Sequence, residues 1–181
     1  MKTRRNFLKT AGTVAIGSMI LPSFVSARAK IKNPGIQLYT VRTEMLADAR
    51  GTLKKLADLG IKQIESARSA KGNYYGLSAK EMKQACKDLG MTLRSGHIAV
   101  DAKWQQTMEE AAESGQEYII CSSMPSSGQT IDNYRRVADT FNRYGEECRK
   151  TGLKFGYHNH DYEFEKVDGQ VLFDLLMDNT D

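Results

Sequence analysis

The chain has only three cysteines, Cys86, Cys121 and Cys148, and no two of them form a CxxC pair. An odd, scattered set excludes a disulfide framework as the basis of the fold. Cys121 closes an apolar run, and Cys86 and Cys148 fall in helical patterns. Buried free thiols are therefore expected, with one disulfide as the alternative. Also missing are GxGxxG, GxxxxGK[ST] and GxSxG. The signals for dinucleotide binding, a P-loop and a hydrolase nucleophile elbow are thus absent. There is no low-complexity linker to divide the chain. Its apolar run from Ala11 to Leu21 is too short to cross a bilayer comfortably, so no stable membrane anchor is expected.

A charge excess is lacking too, once the first residues are set aside. Residues 1–27 carry Lys2, Arg4, Arg5 and Lys9 and no acid, which leaves 22 basic and 22 acidic residues. That balance argues against a nucleic-acid surface. The segment itself reads as an export signal. Arg4-Arg5 stands before Phe7 and Leu8 in a twin-arginine pattern, the short apolar run follows, and Val25-Ser26-Ala27 offers small residues for cleavage. Residues 1–27 are expected to direct export to the periplasm, and 28–181 to form the folded part.

That part repeats a unit in which an amphipathic segment ends in glycine and a short apolar run follows. Leu53–Leu59 with Gly60 leads into Ile61–Glu65, and Met82–Leu89 with Gly90 into Met91–His97. Met108–Ser114 with Gly115 leads into Tyr118–Cys121, and Phe141–Thr151 with Gly152 into Leu153–His160. Each glycine suits a helix C-terminus, and each run has strand length and composition. A strand at Gly35–Thr40 precedes the first helix, and a further helical segment is expected near Gln170–Met177. Alternating strands and helices imply a parallel sheet with right-handed crossovers. Two architectures fit: an open doubly wound sheet, or the first five βα units of a (β/α)8 TIM barrel, which takes about 250 residues.

In either, carboxyl ends of strands form the active edge. All three histidines fall there: His97 at the end of the third strand, and His158 and His160 at the end of the fifth. Glu65 ends the second strand. Gln37, Tyr39 and Arg42 lie at or just after the first. Residues two apart on a strand share a face, which groups His158 with His160 and sets Phe155 and Tyr157 against the helix layer. A histidine pair on one face is a workable two-ligand metal unit, and Glu163 could add an oxygen ligand or a base. The alternatives are hydrogen-bonded structural histidines and a solvated acid at Glu65. Tyr74-Tyr75 reads as a loop feature and Trp104 as packing.

The segments GIQLYTVR (35–42), LADLGIKQIE (56–65), GMTLRSGHI (90–98) and GLKFGYHNHDYEFE (152–165) resemble the sugar phosphate isomerase/epimerase family. The likeness runs from about Pro34 onward, and its last motif is the most specific. The resemblance implies the xylose-isomerase-like TIM barrel, a divalent metal (Mn, Zn, Co or Mg) at its mouth, and a sugar or keto-sugar partner. It implies proton transfer next to a carbonyl, leading to isomerisation, epimerisation or elimination. Glu65 and His97 are then the catalytic candidates, Gln37, Tyr39 and Arg42 the substrate-binding ones, and His158, His160 and Glu163 the metal ones. The family's strand-five ligand is usually a Glu, so which of these three takes its place stays open. Other readings are a non-catalytic periplasmic sugar-binding protein, an inactive fragment, and an abasic-site endonuclease of the same superfamily. The neutral charge speaks against the last. A homo-oligomer is also open.

Overall fold

The computed structural model describes residues 31–181, so the export-signal reading of residues 1–27 lies outside the described residues. Strand β1 (Gly35–Gln37) passes through a 3-10 turn (Leu38–Val41) into α1 (Arg42–Ala47) and α2 (Ala49–Asp58). There follow β2 (Gln63–Ala67), α3 (Ala79–Asp88), β3 (Thr92–Ile98), α4 (Trp104–Ser114), β4 (Tyr118–Cys121), α5 (Ile131–Lys150) and β5 (Lys154–Tyr157). A second 3-10 turn (Tyr162–Phe164), the strands β6 (Lys166–Val167) and β7 (Gln170–Val171), and α6 (Leu172–Asp178) come last.

Strands β1 to β5 pair in parallel, and their spatial order is their chain order. A doubly wound sheet reverses direction at a switch point; these five strands never reverse. Parallel βα units wound one way are the wall of a (β/α)8 barrel, which sets the open-sheet alternative aside.

The local chemistry explains the elements. Asp48 accepts the Gly51 N–H at 2.9 Å and caps α2. Ser78 and Glu81 form a reciprocal capping box at α3, with Ser78 Oγ accepting the Glu81 N–H at 3.2 Å and Glu81 Oε2 accepting the Ser78 N–H at 2.9 Å. The Thr130 hydroxyl accepts the Asn133 N–H and starts α5. The glycines expected to end helices do take the left-handed backbone, as at Gly60 (φ 89°) and Gly115 (φ 77°).

The helix-facing side of the sheet is apolar. Ile64 and Leu93 pack with Leu53, Leu56 and Met82 from α2 and α3. Farther along, Ile98, Ile119 and Trp104 form one cluster, and Cys121, Tyr134, Val137 and Phe141 another. Phe155 joins these two, and its ring and that of Tyr157 lie 5.3 and 5.1 Å from Phe141. The indole N–H of Trp104 donates to Glu147 at 2.5 Å, and its ring packs on Tyr144 and Phe155. The three thiols are buried and free, and burial pushes each up to about 11. No helix among the described residues is long and apolar enough to cross a membrane.

Three expectations are corrected. The strand expected over Gly35–Thr40 ends at Gln37, and Leu38–Val41 forms a 3-10 turn instead. The strand expected over Leu153–His160 ends at Tyr157. The His158 N–H still donates to Cys121 O at 3.1 Å, but the chain then turns and the His160 N–H is taken by the Glu163 carboxylate. The helix expected from Gln170 begins at Leu172, because Gln170–Val171 pairs with Lys166–Val167 in a hairpin. Asp168 and Gly169 supply that turn with two positive φ angles, 50° and 80°, as a tight hairpin turn requires.

Candidate active site

The register of the sheet brings polar side chains together on the face opposite the helices. Gln37 stands opposite Glu65, and Glu65 opposite Ser95. The Gln37 amide donates to Glu65 Oε1 at 2.6 Å, and the Ser95 hydroxyl donates to Glu65 Oε2 at 2.5 Å. His97, two residues beyond Ser95 on the same face, places Nε2 3.2 Å from Glu65 Oε1. Gln37 Nε2 lies 3.1 Å from the same ring nitrogen. Three adjacent strands thus fix one carboxylate and one imidazole against each other.

The electrostatics follow from the packing. His97 keeps only 12% of its side chain exposed. Burial holds its pKa below the ordinary value; Glu65 opposes that shift, and His158 and His160 reinforce it. The ring is therefore neutral at pH 7, with one nitrogen donating and the other accepting. Neutral imidazole beside a hydrogen-bonded carboxylate is a pair that can take a proton at one atom and supply one at another.

The histidine of β3 and the two that follow β5 meet at this edge. His158 lies edge-on to His97 with ring centroids 4.9 Å apart, and His160 lies edge-on to His158 at the same separation. Under them β4 presents Ile120, in register with His97 and with Gly156. A Cβ on Gly156 would stand 3.0 Å from Ile120 Cδ1, so the glycine permits that close approach.

Other candidates lie elsewhere. Tyr39 and Arg42 are exposed on the segment after β1 and pair with each other: the guanidinium sits 4.6 Å above the Tyr39 ring, and Nη1 donates to Tyr39 O at 3.2 Å. Glu163 is fully buried. Its Oε1 accepts the Tyr157 hydroxyl and its Oε2 accepts the His160 N–H at 2.6 Å. A groove beside β5, lined by Phe141, Phe155, Tyr157, Phe173 and Leu176, involves neither Glu65 nor any histidine.

The metal implied by the resemblance needs three or more converging donors. Among the described residues no three His, Cys, Asp or Glu side chains converge closely enough to hold a metal ion. Glu163 has both oxygens committed inside the protein. His97 is engaged with Glu65 and Gln37, which leaves His158 and His160 as the two imidazole donors at the rim, fewer than a site requires. The described residues do not fit a complete metal centre, and no chemistry is routed through one.

Ser95 is a site residue beyond those expected from the sequence. Its signal is available all the same: a small hydroxyl residue two positions before His97 on an alternating strand shares the histidine's face.

No family model matches the sequence, and no curated protein does. Solved structures do match. The chain is similar to a sugar phosphate isomerase/epimerase from Parabacteroides distasonis, with 26% identity and a TM-score of 0.74 over 87% of this chain and 64% of that one. A second structure so described from the same organism gives 26% identity and a TM-score of 0.74 over 83% of this chain and 66% of its own. A xylose isomerase domain containing protein from Salmonella typhimurium LT2 aligns at 11% identity and a TM-score of 0.58, over 70% of this chain and 48% of that one, a likeness of fold alone. The architecture is that of the xylose-isomerase-like TIM barrel. The chain spans just under two thirds of the two Parabacteroides proteins.

Proposed function

We propose that this chain carries the proton-transfer half of a sugar isomerase or epimerase that works next to a carbonyl. The observation behind the proposal is the Glu65 carboxylate, held by Gln37 and Ser95 and set 3.2 Å from neutral His97 at the carboxyl ends of β1 to β3. The likeness to the Parabacteroides sugar phosphate isomerase/epimerase supports the substrate class.

In this reading Glu65 takes the proton from the carbon next to the carbonyl. The C–H electron pair moves into the adjacent bond, and the carbonyl oxygen gains the charge. The His97 N–H donates a hydrogen bond to that oxygen and stabilises the enediolate. Return of the proton from Glu65 to the neighbouring carbon, with that carbon's hydroxyl proton passing to the former carbonyl oxygen, isomerises the sugar; a solvent proton added to the first carbon from the opposite face, while Glu65 releases its own proton to water, inverts it. The Ser95 and Gln37 bonds fix the carboxylate so that orientation is settled before the sugar arrives. Gln37 also stands where it could meet a sugar hydroxyl, and Tyr39 with Arg42 forms an outer binding surface.

The divalent metal belongs to this proposal only for the whole protein, where His158 and His160 would give two imidazole donors. Export by the twin-arginine route is likewise proposed, on Arg4-Arg5 and the residues around them. An exported protein would meet free sugars or glycosides more than sugar phosphates.

The test is proton exchange with solvent. The full-length protein, incubated with a panel of ketoses in D2O, should place deuterium on the carbon next to the carbonyl, read by NMR. Binding of a sugar without deuterium incorporation would replace this reading with that of a sugar-binding protein. Nicking of abasic DNA would replace it with an endonuclease.

A further inference from the structure

A fully buried carboxylate is costly unless its oxygens are paired, and Glu163 is such a carboxylate, on the 3-10 turn beyond the histidine pair. Both of its partners belong to the same short stretch. Oε1 accepts the hydroxyl of Tyr157, the last residue of β5, and Oε2 accepts the His160 backbone N–H at 2.6 Å. The β-ladder makes its last contact at the His158 N–H. Beyond it, the Glu163 carboxylate is the next fixed point for the chain, so it sets the path of residues 158–163.

Its influence extends to the imidazole. His160 Nδ1 lies 3.0 Å from the Tyr162 hydroxyl and 3.8 Å from Glu163 Oε1. The His160 ring stacks on Tyr162 at 12° between planes, with centroids 5.0 Å apart. With Nδ1 engaged, Nε2 is the ring nitrogen without a protein hydrogen-bond partner among the described residues. His160 in turn lies against His158, and His158 against His97.

We propose that Glu163 is a positioning residue: from inside the protein it fixes the place and ring orientation of His160, and through it of His158, at the mouth. It is not itself a ligand or a base. To reach the mouth it would have to leave the Tyr157 hydroxyl and the His160 N–H without an acceptor, at the cost of two unpaired, partly buried donors. The proposal rests on the reading that the histidine edge is the active site.

The experiment is histidine-selective NMR on the full chain, wild type against Glu163→Gln. The amide keeps the volume but has one acceptor for two donors. Expected are shifted or broadened ring signals of His160 and His158 in a protein that still melts cooperatively. In the deuterium-exchange assay kcat should fall about tenfold or more with KM little changed. Tyr157→Phe removes one donor and keeps the other, and should shift the same signals by less; it serves if Glu163→Gln fails to fold. Unmoved His160 and His158 signals in either folded variant would overturn the assignment. The spectra need no sugar, so they decide this point even if the wild type shows no exchange.

Discussion

His97 lies on β3 and His158 just past the end of β5, two strands that are not neighbours, yet their rings meet edge to face with centroids 4.9 Å apart. Strand β4 lies between them and leaves room by presenting Ile120 beside Gly156. His97 itself is largely buried between His158 and Glu65.

The first prediction follows from that. Burial lowers the His97 pKa below its ordinary 6.5. Between the lowered value and 6.5 the unfolded chain binds more protons at this position than the folded chain does, so stability rises with pH there. The contribution is complete above 6.5 and is lost as the pH falls below it. Urea midpoints measured from about pH 8 to about pH 5 should drop for the wild type. The His97→Gln series should show a shallower fall; an equal slope would mean that other groups carry the dependence.

The second concerns the carboxylate and its support. Glu65→Gln should reduce deuterium exchange by roughly 10²–10⁴-fold, the ordinary contribution of a general base. Ser95→Ala leaves the base but frees it to turn, and should cost about tenfold in kcat with about 1 kcal/mol of stability, the worth of one hydrogen bond. Steady-state exchange rates and denaturant melts separate the two effects. Equal losses in both variants would contradict the division into base and support.

The third sets two glycines against each other. Gly60 closes α2 at φ 89° with nothing within 4 Å of an added Cβ. Gly60→Ala therefore meets backbone strain without a clash and should cost about 1 kcal/mol. Gly145 lies within α5 and also has open space around an added Cβ. There alanine fits the helical backbone, and Gly145→Ala should add about 0.5–1 kcal/mol. Thermal melts of the two variants should move in opposite directions.

The order of strands and helices could be read because each unit ends in a helix-closing glycine followed by an apolar run, a pattern visible one unit at a time. The edge carrying Glu65 and His97 could be read for the same reason: strand ends are local. What needed the third dimension was pairing across strands. Nothing near Ser95 announces that Glu65, thirty positions earlier, stands opposite it. Glu163 was harder still, since a charged residue past a strand end ordinarily faces water. It is drawn inward by Tyr157, six residues before, whose ring belongs to the helix layer while its hydroxyl reaches the turn. The Asp168-Gly169 pair suits a tight hairpin turn, and Gln170–Val171 after it continues the hairpin where a helical start is expected, so the helix begins two positions later, at Leu172.

Trp104 gives the protein a built-in optical probe. It is the sole tryptophan, only 7% exposed, and it touches β5 through Phe155 and α5 through Tyr144 and Glu147. Its emission therefore reports the half of the wall that carries the histidine pair and is blind to the half around β1 and β2. If the two halves loosen at different denaturant concentrations, fluorescence and circular dichroism will part company, and the distance between their midpoints will measure how firmly β3 joins them.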